Sequence, residues 1–87
     1  MNDLAPLLKL IYDDEADILY AAFPDAPPGF SDDSPFDGLY INRSCADQIT
    51  GFVLLDAHRR ADRPQIAAYL TVRGLYSPDV EVRLGLS

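Results

Sequence analysis

Apolar and polar residues alternate with period two along much of this chain. From Leu7 to Tyr12, Leu8, Leu10 and Tyr12 fall on one side, Lys9 and Ile11 on the other. That period places successive side chains on opposite faces of a strand. Pro6 stands at or before its start, where a missing N–H costs little. Asp13-Asp14-Glu15-Ala16-Asp17 breaks the alternation. Aspartate favours turns because its carboxylate accepts nearby backbone N–H groups. Ile18 to Phe23 then reads as a second strand. So short a connection permits an antiparallel hairpin and forbids a parallel crossover.

Residues 24–37 hold four prolines, one glycine and four aspartates, the composition of a long loop. Gly38 to Asn42 reads as a third strand, with Leu39 and Ile41 on one face and Tyr40 on the other. Arg43 to Gln48 turns the chain, and Ile49 to Ala57 is the fourth strand. Its faces are Ile49, Gly51, Val53, Leu55 and Ala57 against Thr50, Phe52, Leu54 and Asp56. Both are rather apolar, which places this strand at the centre of the sheet or under cover. Gly51 within it marks a bulge or a close backbone approach. Leu19, Ile41, Val53 and Leu55 are the expected core.

The period changes after Ala57. Asp62 is placed to cap a helix, with Pro64 in its first turn; Ile66, Tyr69, Leu70 and Arg73 follow helical spacing, and Gly74 ends it. Tyr76 to Asp79 reads as a turn. From Val80 to Leu86, Val80, Val82, Leu84 and Leu86 alternate with Glu81, Arg83 and Gly85, which predicts a final strand. The expectation is one α+β domain over residues 1–87: an antiparallel meander of about four strands, a C-terminal helix and a last strand.

Eighty-seven residues bury a modest core. The single cysteine, Cys45, forms no internal disulfide, and no Cys/His cluster suggests structural zinc. No apolar run nears the roughly 20 residues that span a bilayer. The N-terminus lacks the basic and apolar regions of a signal peptide. A soluble, cytoplasmic protein is therefore expected. The net charge is −7, unevenly spread: residues 1–42 carry nine acids and one base, residues 43–87 five acids and six bases. So acidic a first half repels phosphate backbones and argues against nucleic-acid binding, while suiting a basic partner.

Candidate chemistry is sparse. Asp13, Glu15 and Asp17 alternate like the first ligands of a calcium loop. Ile18 then stands where that loop needs glycine, and Pro24 where it needs glutamate. These three acids are expected to be solvated and metal-free. Asp32, Asp33 and Asp37 form a second acidic cluster, of the oxygen-donor kind that magnesium visits weakly. Cys45, Asp56 and His58 supply the residue types of nucleophilic catalysis. Cys45, however, precedes a nine-residue strand and His58 follows it, roughly 25–30 Å apart at the usual rise. No catalytic residue, cofactor or metal ligand is assigned. Phe30 and Phe36 either tack their loop onto the core edge or serve as aromatic anchors for a partner. With Asp32, Asp33, Arg59 and Arg60 they form the candidate partner-binding set.

Tyr12-Asp13-x-Glu15-Ala16-Asp17-x-Leu19-Tyr20, followed by Gly51-Phe52-x-x-Leu55-Asp56-Ala57, resembles the domain of unknown function 2283 family of small bacterial proteins. The resemblance covers roughly residues 7–60 and implies a compact β-meander. It implies no activity or catalytic residue. Family members sometimes lie beside small toxin-like proteins, which implies an antitoxin-like role. Here residues 24–37 are longer than the family's usual link, the turn before Ile49 lacks its frequent Asp-Gly, and residues 61–87 are an extension.

The leading expectation is a non-catalytic protein-interaction module, a homodimer paired through the Val80–Leu86 strand edge, with the acidic first half facing Arg59, Arg60 and Arg63 of the other copy. The alternatives are an acidic antitoxin-like partner of a basic small protein and a metal-dependent enzyme using the loop carboxylates.

Overall fold

The computed structural model describes residues 8–24, 26 and 29–86. Five strands form one antiparallel sheet: β1 (Lys9–Asp13), β2 (Ile18–Ala22), β3 (Gly29–Asp33), β4 (Leu39–Ser44) and β5 (Ile49–Leu55). Two short helices follow, α1 (Arg63–Val72) and α2 (Pro78–Arg83). The α+β class and the antiparallel sheet are as the alternation predicts. Leu7 and Pro6, at the predicted start of the first strand, lie outside the described residues.

The strand order is β1-β2-β5-β4-β3. β5 is therefore central, flanked by β2 and β4, which fits its two apolar faces. Leu19 pairs with Leu54 and Leu54 with Leu39; Ala21 pairs with Phe52 and Phe52 with Ile41. These six are buried and form the sheet's side of the core. Ile66 and Leu70 of α1, Leu75, and Val80 and Leu84 of α2 form the other side. A Cβ on Gly51 would sit 2.0 Å from the Ala21 carbonyl oxygen, so only glycine fits this approach of β5 to β2. A register shift beside it, at Asn42/Arg43, is the expected irregularity.

Three expectations change. The loop 24–37 contains a strand: β3 pairs with β4 from Gly29↔Ser44 to Asp33↔Tyr40, with all five residues exposed. Its edge place comes from pairing rather than from burial. The predicted last strand is helix α2. Ser77 caps it by accepting from the Val80 N–H, and Pro78 opens it. Asp79 and Glu81 lie in its first turn and Arg83 in its last, as the helix dipole favours. Gly85, at φ +71°, then closes it with Gly85 N–H to Val82 and Leu86 N–H to Glu81 carbonyls. Val80 and Leu84 thus share a buried face at helical spacing, while Val82 is 64% exposed. The core also lies on the Phe52/Leu54 face of β5. Val53 and Leu55, expected inside, are half-buried on the opposite face.

Candidate functional site

Two features stand out once the strands are in register. The first is a polar cluster around Asp17, a residue expected to be solvated but only 4% exposed. It ends the β1–β2 turn at φ 56°, a conformation aspartate tolerates. Tyr12 Oη donates to its Oδ1 at 2.6 Å, and the backbone N–H of His58 donates to both carboxylate oxygens at 3.2 Å. The Arg59 guanidinium lies 3.7 Å from its Oδ2. Burial pushes its carboxyl up; the Tyr12 hydroxyl, the His58 N–H and the nearby His58 and Arg59 charges outweigh this and hold it below the usual 3.8. The same hydrogen bond, with help from burial, pushes the Tyr12 phenol up to about 12.

The His58 ring completes the cluster. Its Nδ1 is 3.0 Å from Tyr12 Oη, and its Nε2 contacts the Arg83 carbonyl of α2. Tyr12 commits its proton to Asp17, and a carbonyl only accepts, so the arrangement presents an acceptor to each ring nitrogen. The cluster thus ties together the β1–β2 turn, the segment after β5 and the end of α2. It holds a carboxylate, a phenol and an imidazole engaged with one another, a joint rather than a nucleophile with its base.

The second feature is the sheet face away from the helices. Ile11 pairs with Tyr20, Tyr20 with Val53, Val53 with Tyr40, and Tyr40 with Asp33, one row across all five strands. Strand parity puts this row opposite the core. Ile11 is 64% and Tyr20 41% exposed, with Val53 and Tyr40 half-buried. Ile18 and Leu55 form the next row on one side. On the other side runs Lys9, Ala22, Gly51, Asn42 and Ser31. A depression of about 250 Å³ opens here beside Tyr20, lined also by Lys9, Ala22, Phe23, Asn42 and Val53. No described residue from either helix belongs to these rows. An open sheet face is ordinarily polar; among the described residues this one is aliphatic and aromatic at its centre and charged at its rim, by Lys9, Asp13 and Asp33, with Arg43 lining a neighbouring depression beside Ala22, Asn42 and Val53.

The six candidate residues fall apart into separate places. Phe30 is exposed at the β3 edge. Phe36 packs edge-on against Tyr69, ring centroids 5.4 Å apart, and against the core. Asp32 pairs with Arg43 at 3.4 Å. Asp33, its neighbour in the strand, points the other way, onto the open face, so these two acids do not converge. Arg59 turns to Asp17. Arg60 pairs with Asp62 at 2.7 Å and donates to the carbonyls of Leu55 and Asp37. Arg63 donates to the Arg60 and Leu84 carbonyls. The arginines expected to meet a second copy are therefore engaged within the chain, and the strand edge expected at Val80–Leu86 is a helix. Among the described residues, no three His, Cys, Asp or Glu side chains gather to hold a metal ion, and no helix is long and apolar enough to cross a membrane.

No family model, curated protein or solved structure matches this chain.

Proposed function

We propose that this chain is a non-catalytic protein-interaction module of the cytoplasm that binds through the open face of its sheet. One observation carries the reading: the row Ile11, Tyr20, Val53 and Tyr40 is apolar, contiguous over four strands and uncovered by the helices that seal the other face. Contiguous exposed apolar surface rimmed by polar residues marks binding sites, whereas singly scattered apolar residues do not. Aromatic residues supply large contact area with few rotatable bonds, and interface cores are enriched in tyrosine.

The test is site-specific photo-crosslinking. A photoreactive phenylalanine analogue replaces Tyr20 in one variant and Val72 in another, Val72 being 81% exposed on α1. Irradiation in host cells is expected to give discrete adducts from position 20 and none from position 72. No adduct from position 20, or the same adducts from both, would overturn the reading.

A further inference from the structure

We propose that the occupant of the open face is a second copy of this chain, placed by a two-fold axis that runs along the row Ile11–Tyr20–Val53–Tyr40, across the strands. The proposal rests on the reading of that face as an interaction surface.

The pattern of the face selects this axis. A two-fold axis along the central row turns each strand end for end over its own copy. The row holding Ile18 and Leu55 then lies over the partner's row holding Ala22 and Gly51. Large side chains meet small ones, and the depression of about 250 Å³ beside Tyr20 lies where the partner's Ile18 and Leu55 arrive. Charge agrees with size at the β1 end; at the β3 end the axis sets Asp33 over its own copy, a like-charge contact at the exposed rim that weakens pairing. Lys9 and Asp13 are the two ends of β1 on this face. The same rotation brings Lys9 over the partner's Asp13, and the partner's Lys9 over Asp13. Asp13 uses Oδ1 for the N–H groups of Glu15 and Ala16, which leaves its other oxygen for the ammonium. Lys9, the chain's only lysine, thus stands opposite a rim carboxylate. An axis parallel to the strands does neither: it lays Ile11 over the partner's Asp33 and Lys9 over the partner's Ser31, and gives Asp13 no basic partner.

Five strands about 4.8 Å apart and five to seven residues long present a plan of roughly 20 by 20 Å. That is small for a stable interface, which commonly takes about 800 Å² of accessible surface from each partner. The dimer is accordingly expected to form with rising concentration, in the micromolar range. Face-to-face sheets pack about 10 Å apart, a distance the Tyr20 and Tyr40 rings fill.

Light scattering behind size exclusion is expected to give the 9.6 kDa chain mass at low micromolar concentration and twice that mass at high micromolar. Tyr20→Glu should hold the chain mass throughout. Lys9→Glu, at an exposed edge where folding is not at stake, should weaken pairing on the order of tenfold, and adding Asp13→Lys should restore it. The axis has its own readout. In a Cys45→Ser background, Ile11→Cys should be joined to its own copy by a short bis-maleimide, while Phe30→Cys, three residues along β3 from the axis row, should not. A chain mass at every concentration overturns the self-pairing. If position 20 still gives adducts with another protein, the wider reading stands without it; if it gives none, both fall. A dimer unaffected by Tyr20→Glu and Lys9→Glu, or joined through Phe30→Cys instead of Ile11→Cys, also overturns the proposal.

Discussion

The Tyr12 hydroxyl donates to the Asp17 carboxylate at 2.6 Å across the turn that joins the first two strands. Each partner changes the other's titration, in opposite senses for stability. Asp17 is held below its ordinary value, so its ionised form stabilises the fold above the unfolded carboxylate range, and that contribution is lost as pH falls through its lowered value. Tyr12 is raised to about 12, so its neutral form contributes fully below about 10, the unfolded value. That contribution is lost as pH rises through about 12. The share of the urea midpoint that this bond contributes should therefore be level between about 4 and 10. Tyr12→Phe should flatten the alkaline limb. A wild-type alkaline limb unchanged in Tyr12→Phe would show that the bond is not made.

Asp17→Asn should cost about 1.5–3 kcal/mol at neutral pH, the usual worth of hydrogen bonds to a charged group. Asparagine keeps the left-handed backbone accessible, so the loss reports the carboxylate. The difference from wild type should shrink below about pH 4, where the unfolded carboxyl is protonated. Denaturant titration at two pH values measures it.

The two faces of β5 should respond unequally. Leu54→Ala should cost about 2–5 kcal/mol, from lost burial and a cavity, because Leu54 is fully enclosed. Val53→Ala, on the open face, should cost about 1 kcal/mol or less in the monomer. Equal losses would place Val53 inside.

Arg59 and Arg60 are neighbours with different duties. Arg60→Ala removes the partner of Asp62, whose carboxyl it holds below the usual range, and empties two carbonyl contacts. A loss of about 2 kcal/mol is expected, with poor rescue by lysine, which lacks the planar fork. Arg59→Ala, at a guanidinium largely in water, should cost under about 1 kcal/mol. Melting temperatures of the three variants decide this.

Helix α2 should depend on its two ends. Ser77→Ala should cost about 1 kcal/mol through the lost cap. Gly85→Ala should cost about 1 kcal/mol or more because of its positive φ. Amide exchange at Val80 and Leu84 should speed up in both variants.

Much of the fold is legible in the sequence because period-two alternation is strong where a strand has one dry face. Leu10 and Tyr12 share one face and Leu39 and Ile41 another, as read, and Leu19 lies in the core. Helix α1 reads from Asp62, Pro64 and Gly74, although Asp62 sits at the cap position without a side-chain cap bond and gives its carboxylate to Arg60 instead. Strand β3 is not legible because Gly-Phe-Ser-Asp-Asp has little strand propensity and no buried member. Its conformation is imposed by β4. In α2, Val80 and Leu84 fit both periods, and only Ser77-Pro78 and Gly85 favour the helix. The open face was visible as parity but not as exposure, since both sides of β5 are apolar and which one the helices cover is a tertiary choice. Asp17 is hidden for the same reason: the N–H that satisfies it lies 41 residues away.

The strand order makes β5 the keystone of the sheet although it is the last strand in the chain. Until residues 49–55 arrive, β1–β2 and β3–β4 are two separate hairpins, and two-stranded hairpins are marginal in water. A chain emerging from the ribosome therefore has no core to offer before β5 has cleared the exit tunnel. Then β2 and β4 dock on the same strand from either side, at sequence separations of about 30 and 10 residues. The longer closure is the slow one. Synthesis and folding are thus separated in time, and the first two hairpins wait with their apolar faces uncovered until the fifth strand joins them.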